Sequence, residues 1–555
     1  MLHTRVQKAG ILLLSLWLAA GAGYAQKKKK SKTLDRPKLV VGIVVDQMRY
    51  DYLYRFWDKY SDGGFKRLMN EGFNFRNNHY NYVPTYTAPG HASVYTGTTP
   101  AMHGIVGNDW YNRNTGRNIY CTEDKSVKTV GSNTTAGEMS PANLLATTIT
   151  DELKLATNRQ SKVIGVSLKD RGSIIPAGHV ADAAYWFDGT NGNMITSTFY
   201  MQELPAWVKA FNDRKLGDQL LSQPWNTLLP IEQYTESTTD DQPFEGTYKG
   251  EDKPVFPHNV PALRGNNYEL IRSTPFGNTY TREFAVAAIQ AEQMGKDDVT
   301  DFLAISFSSP DYVGHQFGPN SIEVEDNYLR LDRELAELLS FLDKNIGKEN
   351  VLVFLTADHA AAHNPTFLKQ LRIPAGTTSS RAVADSLKNH LNAKFGKAEW
   401  VSSMINQQVY LNHSLIESKK ADLVAIQEET ARFLQHFPGV LRVFTANAVV
   451  RSHWEQGLGQ LIENGYMPYR SGDVMITLQP GWYEGYGSEP KGTTHGTAWS
   501  YDTHVPLLWY GWQVPAGETV AWSNITDIAP TIAAWLHIQE PSGSTGRALQ
   551  IYMQK

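Results

Sequence analysis

Short runs of consecutive apolar residues, rich in valine, isoleucine and leucine, recur along the chain and limit what it can fold into. They cover residues 38–46, 162–168, 301–308, 350–355, 473–478 and 505–510. A strand that is apolar at every position is buried on both faces, as in a parallel sheet covered by helices. Helical stretches lie between several of these runs. The sequence therefore predicts an α/β fold with a central, mostly parallel sheet flanked by helices.

The clearest helical stretch is 321–345. Its apolar residues recur at spacings of three and four, which puts them on one face of a helix. They are Tyr328, Leu331, Leu335, Leu338 and Leu342. This pattern predicts one long amphipathic helix packed on the sheet.

The N-terminal segment has the pattern of a signal peptide at 1–25. Arg5 and Lys8 precede an apolar run at 11–20 that is too short to span a bilayer, and small residues follow at 23–25. An uncleaved anchor is the competing interpretation. We expect cleavage and export from a bacterial cell, to the periplasm or the medium, with no membrane span left in the mature chain.

The rest of the chain is predicted to form a lysine-rich linker at 26–36 and one large domain at 37–555. The segment 186–285 is rich in loop-forming residues, and 364–470 interrupts the alternation of strands and helices as an insertion or cap. The single cysteine, Cys121, excludes an internal disulfide. A net charge of -4 gives no basic surface for nucleic acid. We expect a monomer.

Aspartate and histidine residues cluster at or near the ends of several predicted strands. Any one of them alone could be a turn residue or a packed side chain, but together they resemble a metal site at the ligand-binding edge of a sheet. Carboxylate and imidazole ligands suit zinc, although manganese or iron would compete, and six ligands suit two ions better than one. The six are Asp46, Asp311, His315, Asp358, His359 and His495.

A candidate nucleophile, Thr87, lies in the sequence Thr-Ala-Pro-Gly-His. Pro89 and Gly90 predict a helix start, with Thr87 just before it. A phosphoryl group there would meet free backbone N–H groups. Locally, the simpler interpretation of Thr87 is a helix cap. A nucleophilic role requires a metal to activate the hydroxyl.

In this order, the set Asp46, Thr87, Asp311 with His315, Asp358 with His359, and His495 resembles the alkaline phosphatase superfamily. Within it, the sequence is similar to the type I phosphodiesterase/nucleotide pyrophosphatase branch, and in particular to PafA-type bacterial alkaline phosphatases. The resemblance extends from about residue 38 to 535. It implies an alkaline-phosphatase-like catalytic domain with two Zn²⁺ ions: one held by Asp46, Thr87, Asp358 and His359, the other by Asp311, His315 and His495.

Two further segments bear on the substrate. Asn108, in Gly-Asn-Asp, resembles an asparagine that binds a phosphoryl oxygen. Lys169 and Arg171 resemble the Lys-x-Arg pair of PafA-type monoesterases, although both could simply end a strand as solvated charges. A monoester dianion carries an anionic oxygen that a diester lacks, so cations at this position favour the monoester.

These features together predict an exported two-zinc alkaline phosphatase that hydrolyses small phosphate monoesters through a phosphothreonine at Thr87. A phosphodiesterase or nucleotide pyrophosphatase with the same site is the alternative. A nonenzymatic phosphate- or glycan-binding module that retains the fold is a more distant one.

Overall fold

The computed structural model describes residues 35–485 and 490–551. The predicted signal peptide, and the predicted linker apart from residues 35 and 36, lie outside the described residues. From Pro37 onward the described residues form one compact unit. Among them, no helix is both long enough and apolar enough to cross a membrane.

The central sheet has ten strands. In spatial order they are Gly517–Thr519, Phe73–Phe75, Leu507–Gly511, Val351–Thr356, Leu39–Val45, Asp301–Phe307, Val163–Ser167, Ala183–Asp188, Asn193–Ser197 and Thr129–Val130.

The predicted first strand, Leu39–Val45, lies in the interior of this sheet. It pairs in parallel with Asp301–Phe307 on one side and Val351–Thr356 on the other. All of its residues are buried, which agrees with a run that is apolar at every position. Each fully buried valine, leucine or isoleucine side chain contributes roughly 1.5–3 kcal/mol. The α/β fold with a mostly parallel sheet is confirmed.

Helices cover the central sheet, and two others, Ser380–Phe395 and Leu423–Leu434, contribute to a second core. Those of eight or more residues are Thr87–Thr96, Ile149–Ala156, Asp170–Ala177, Ala206–Asp213, Phe276–Ala291, Ser309–Phe317, Ile322–Asn345, Ser380–Phe395, Leu423–Leu434, Gly457–Gly465 and Ile528–Leu536. Shorter helices are Tyr52–Arg55, Phe65–Glu71, Pro100–His103, Leu216–Leu220, Val260–Leu263, Pro365–Gln370, His413–Ser418, Ala446–Arg451 and Ser500–Thr503. Single 3₁₀ turns are Trp57–Lys59, Ile231–Gln233, Glu269–Ser273, Lys348–Asn350 and Ile525–Asp527.

The long helix predicted at 321–345 is present as Ile322–Asn345. Its N-cap is Ser321, whose side chain accepts a hydrogen bond from the backbone N–H of Val324. The predicted apolar face is buried in the main core. The amphipathic pattern therefore predicted both the extent and the orientation of this helix.

A second, smaller sheet has its own hydrophobic core. Its strands, in spatial order, are Val401–Ile405, Gln408–Leu411, Val474–Leu478 and Val440–Thr445, and neighbours pair antiparallel. Two-stranded pairs are Gly376–Thr378 with Trp482–Glu484, Asn78–His79 with Ser523–Asn524, and Asp109–Asn112 with Arg117–Tyr120.

One predicted strand belongs to a different sheet from the one expected. The apolar run at 473–478 forms the strand Val474–Leu478, but this strand pairs in the small antiparallel sheet and not in the central one. A buried apolar run indicates a strand without indicating its partner, and here its partners are Gln408–Leu411 and Val440–Thr445.

Candidate active site

The six predicted aspartate and histidine residues converge at the carboxyl edge of the central sheet. Asp46 directly follows the strand Leu39–Val45, and Asp358 follows Val351–Thr356. Asp311 lies in the first turn of the helix after Asp301–Phe307. These three strands are neighbours and run in parallel, so their carboxyl ends meet at one edge, where ligands bind in open α/β sheets.

The ligand atoms form two overlapping clusters. In one, atoms of Asp46, Asp358 and His359 lie within 4.8 Å of one another; in the other, atoms of Asp311, His359 and His495 do. His359 Nε2 is 3.5 Å from Asp46 Oδ1 and 3.6 Å from Asp358 Oδ2. The ring of His359 also stacks on that of His495 at 3.4 Å, so it lies at the junction of the two clusters.

His315 joins the second cluster through Asp311. Its Nε2 is 3.1 Å from Asp311 Oδ1, and His495 Nε2 is 3.7 Å from the same oxygen. The oxygen Asp311 Oδ1 therefore faces both imidazoles, as the predicted ligand group Asp311, His315 and His495 requires.

Three of the site's histidines are oriented by the same kind of hydrogen bond, from Nδ1 to a backbone carbonyl. The Nδ1 atoms of His315, His359 and His495 bind the backbone carbonyls of Thr493, Ala360 and Thr85 at 2.8, 3.0 and 2.7 Å. A carbonyl oxygen only accepts, so each Nδ1 carries a proton and Nε2 is the ring nitrogen that faces the carboxylates. The hydrogen bond at Nδ1 fixes the orientation of each ring, which prepares Nε2 as a metal ligand.

The donor set fits two divalent cations. Asp46 Oδ1 and Asp358 Oδ2 are buried without a hydrogen-bond partner among the described residues. Burial, and then the charge of Asp46, raise the pKa of the Asp358 carboxyl well above its usual value. Buried carboxylates in such proximity require a positive charge or a proton, and imidazole with carboxylate is a donor set that zinc accepts.

Thr87 lies beside the first cluster. It is the first residue of the helix Thr87–Thr96, so the N-cap position falls on Tyr86 and not on Thr87. Its Oγ1 is 3.4 Å from His359 Nε2. The interpretation of Thr87 as an ordinary helix cap is therefore wrong, because its hydroxyl faces the predicted ligands.

A glycine allows this close approach. A Cβ atom at Gly90 would lie 2.1 Å from the backbone oxygen of Asp358. The first turn of the helix thus packs directly against the segment that carries Asp358 and His359. Any larger residue at Gly90 would push Thr87 away from them.

Asn108 binds the start of the same helix. Its Oδ1 accepts a hydrogen bond from the backbone N–H of Ala88 at 2.9 Å. No partner of its Nδ2 is found in the described part of the chain, which leaves two N–H donors beside Thr87. The loop that holds Asn108 is braced by Asn406, whose Nδ2 donates to the backbone oxygen of Asp109 at 2.6 Å.

Lys169 lies between the two clusters. Its Nζ donates to Asp46 Oδ2 at 2.7 Å and to Asp311 Oδ2 at 2.5 Å. The side chain is 2% exposed, so the interpretation of Lys169 as a solvated strand-end charge is wrong. Its ammonium group partly balances the carboxylates of both clusters.

Arg171 is held in place by Tyr120, which in turn bonds to Asp170. Its Nη1 donates to the hydroxyl of Tyr120 at 2.8 Å, and that hydroxyl donates to Asp170 Oδ1 at 2.5 Å. Its Nε is buried and has no hydrogen-bond partner in the described chain. The guanidinium therefore retains a free donor.

Three residues of the site carry no signal in the sequence. They are Gln47, Tyr120 and Asn406, and each positions a predicted residue. Tyr120 and Asn406 lie in hairpins that are distant in the chain from Arg171 and Asp109, which they contact. Gln47 follows Asp46 directly, but nothing local indicates that its amide reaches Asp311 at 2.7 Å.

A family model described as type I phosphodiesterase / nucleotide pyrophosphatase matches residues 40–504, which is most of the chain. The chain belongs to this family. The predicted resemblance is confirmed.

Relatives of similar length exist in several bacteria. The chain is 51% identical over 523 residues to a protein of Myroides odoratus named calcium-transporting ATPase, covering 94% of this chain and 95% of the relative. It is 49% identical over 551 residues to alkaline phosphatase PhoV of Synechococcus elongatus, covering 98% and 99%. It is 47% identical over 549 residues to alkaline phosphatase PafA of Elizabethkingia meningoseptica, covering 97% of each.

The crystal structure of wild-type PafA is similar in fold. It superposes with a TM-score of 0.90 at 48% identity and covers 93% of this chain and 98% of its own. A PafA variant, with a TM-score of 0.89 at 47% identity and the same coverage, carries substitutions of one threonine, one asparagine, one lysine and one arginine, in that chain order.

Proposed function

We propose that the chain is an exported alkaline phosphatase that hydrolyses small phosphate monoesters through a phosphothreonine at Thr87, at a site with two zinc ions. The observation that carries the proposal is the Thr87 hydroxyl, 3.4 Å from His359 Nε2 at the edge of a buried Asp/His cluster. A nucleophile, a helix N-terminus and a divalent-metal donor set meet there, as phosphoryl transfer requires.

The division of the ligands into two groups follows the family resemblance, since His359 belongs to both clusters. Asp46, Asp358, His359 and Thr87 would hold one zinc ion, and Asp311, His315 and His495 the other. When bound, the two ions would supply Lewis-acid charge that lowers the pKa of a hydroxyl or water and stabilises the leaving oxygen. Manganese or iron remain the competing metals for this donor set.

The chain's own residues perform the rest. Thr87 Oγ1 attacks phosphorus, so that its bond to phosphorus forms as the bond to the leaving oxygen breaks. Asn108 Nδ2 and the backbone N–H of Thr87 donate to the nonbridging oxygens, because the N–H groups of Ala88 and Gly90 already bond to Asn108 Oδ1 and to the backbone oxygen of Tyr86. Water then attacks the phosphothreonine from the opposite side, which releases phosphate and restores the hydroxyl.

Lys169 and Arg171 favour a monoester over a diester. Lys169 bonds to a carboxylate of each cluster, and the charge of Arg171 acts on Lys169. A monoester dianion presents one more anionic oxygen to such a pair of cations than a diester does. The PafA variant supports this role by analogy, because its substituted lysine and arginine are two positions apart, as Lys169 and Arg171 are.

The loop-rich segment 186–285 and the insertion 364–470 would then frame the site within one catalytic domain at 37–555. Asn406, in the insertion, braces the Asn108 loop. In the loop-rich segment, the backbone oxygen of Phe244 accepts a hydrogen bond from Gly492 at 2.7 Å, three positions before His495.

A phosphodiesterase or nucleotide pyrophosphatase is the second candidate, because the matching family is described by those activities. ATP hydrolysis, suggested by the name of the Myroides relative, fits the same site, since the terminal phosphoryl group of ATP is also a multiply charged anion. The complete nucleophile and ligand set argues against a nonenzymatic binding module.

The test is turnover of an aryl phosphate by the purified mature chain, together with elemental analysis. We expect phosphate release with about two zinc ions per chain. A chain that binds zinc but releases no phosphate would reject the proposal in favour of a binding module.

A further inference from the structure

Gln47 contacts a carboxylate in each of the two clusters. Its backbone N–H donates to Asp358 Oδ1 at 3.1 Å, and its side-chain Nε2 donates to Asp311 Oδ1 at 2.7 Å. Asp358 belongs to the cluster with Asp46, and Asp311 to the cluster with His495. The residue is 3% exposed, so neither bond competes with bulk water.

The backbone of Gln47 has a conformation that glutamine seldom adopts. Its φ is 64°, in the left-handed region. Such a conformation costs a non-glycine residue about 1–3 kcal/mol and persists only where surrounding contacts require it. Here it turns the chain sharply after Asp46, so that the N–H of Gln47 points to Asp358 while its side chain extends to Asp311.

A glycine sets the orientation of the amide. A Cβ atom at Gly314 would lie 1.9 Å from Gln47 Oε1. The amide oxygen therefore rests against the backbone of the helix Ser309–Phe317, and the Nε2 faces Asp311 on the same helix. This packing defines which end of the amide donates to the carboxylate.

The bonded oxygen is the one that faces the histidines. Asp311 Oδ1 also lies 3.1 Å from His315 Nε2 and 3.7 Å from His495 Nε2. A carboxylate oxygen has two lone pairs. With one of them engaged by Gln47, the other is oriented toward the space between the two imidazoles.

Lys169 also links the clusters, through Asp46 and Asp311. Its charge makes it a partner for the phosphoryl group as well, so its contacts change when substrate binds. Gln47 is neutral and bonds only to the protein, which suits a permanent link.

We propose that Gln47 is a positioning residue that holds the carboxylates of the two metal half-sites in fixed relation, with its side-chain amide orienting Asp311 as a ligand. The inference rests on the proposed two-zinc function. Loss of the side-chain amide should weaken zinc binding at the Asp311 half-site selectively, because the bond to Asp358 comes from the backbone N–H, which every residue except proline retains.

Two variants separate the amide from the strained backbone. Gln47→Met keeps the length and the left-handed conformation without the donor, whereas Gln47→Gly also relieves the strain. The matched control is Gln407→Met, at a buried glutamine with φ of 57° whose Nε2 has no hydrogen-bond partner in the described chain. Each zinc-loaded protein is titrated with a chelator, and the zinc remaining per chain is measured.

We expect both Gln47 variants to release one of the two zinc ions at a chelator strength about 10- to 100-fold lower than wild type, as is typical when an outer partner of a ligand is lost. The second ion and the Gln407→Met protein should behave as wild type. Added zinc should restore the turnover of both Gln47 variants, which a purely structural defect would not allow.

Zinc affinities within about twofold of wild type in both Gln47 variants would overturn the inference and leave the proposed function intact. An equal loss of affinity for both zinc ions would also overturn the inference, because the effect would not be specific to the Asp311 half-site. A wild-type chain that holds no zinc would instead reject the proposed function itself.

Discussion

The side-chain oxygen of Asn108 accepts a hydrogen bond from the backbone N–H of Ala88 at 2.9 Å, directly beside Thr87. An asparagine amide bonded through its oxygen presents its NH₂ group as a donor. The bond thus aims the donor end of Asn108 at the place where Thr87 would bind phosphorus.

Replacing Asn108 should therefore slow catalysis without unfolding the chain. Asn108→Ala loses one hydrogen bond to a charged oxygen, worth about 1.5–3 kcal/mol, so kcat/KM should fall about 10- to 100-fold. Asn108→Asp should be worse, because a carboxylate repels the phosphoryl group. Asn114→Ala, on an exposed hairpin turn, is the control. Steady-state kinetics that place Asn108→Ala within twofold of this control would exclude a role for the amide.

The covalent role of Thr87 is open to direct trapping. Quenching turnover at low pH should leave labelled phosphate on Thr87, and Thr87→Ala should lose both the label and at least about a thousandfold in turnover, because no other nucleophile is so placed. Thr87→Ser should retain part of the activity. Thr96→Ala, in the same helix, is the control, since its hydroxyl bonds the helix backbone at Ala92. A label found on any other residue contradicts the assignment.

Metal binding should depend on the second cluster in a defined way. Asp311→Ala or His495→Ala should remove one of two zinc ions and most of the activity, whereas His453→Ala, with a side chain 78% exposed, should remove neither. Chelation of wild type should also lower the melting temperature, because the ions bind only the folded chain. Elemental analysis with full zinc in both ligand variants would refute the assignment.

Stability should fall on the alkaline side through the buried histidine His258. Burial lowers the pKa of His258, but hydrogen bonds to Glu251 at 2.8 Å and Glu323 at 3.3 Å outweigh it and raise that pKa to about 9. Since the unfolded value is about 6.5, the stabilisation is complete below that pH and is lost as the pH rises through about 9.

Urea unfolding at pH values on either side of this window measures the effect. Wild type should lose up to about 3 kcal/mol of unfolding free energy from this group, and His258→Gln should lose less over the same range. Parallel pH profiles for the two proteins would contradict the raised pKa.

Much of the fold follows from local patterns. The strand Leu39–Val45 was predictable because a run that is apolar at every position is typical of a buried strand. The helix Ile322–Asn345 was predictable because apolar residues spaced by three and four form one buried face of a helix. The aspartates and histidines were predictable as a set because parallel strand ends converge. The family resemblance supplied the division of the ligands into two groups.

Other features depend on contacts that no local pattern encodes. The strand Val474–Leu478 is apolar like its counterparts, yet its partners lie in the small sheet. Gln47 reaches Asp311 across 264 positions, and Asn406 reaches Asp109 across 297. The position of the Thr87 hydroxyl, 3.4 Å from His359 Nε2, is likewise a tertiary feature, because the helix that carries it packs closely against Asp358 at Gly90.

The central claim is that this site prefers phosphate monoesters. Its most direct test is the ratio of kcat/KM for an aryl phosphate to that for its methyl diester, measured on wild type, Lys169→Ala and Arg171→Ala. Two charged contacts of about 1.5–3 kcal/mol each predict a wild-type ratio of at least about a hundredfold, which falls about tenfold or more in each variant. A wild-type chain that prefers the diester, or variants that lose both activities equally, would contradict the account and favour a phosphodiesterase.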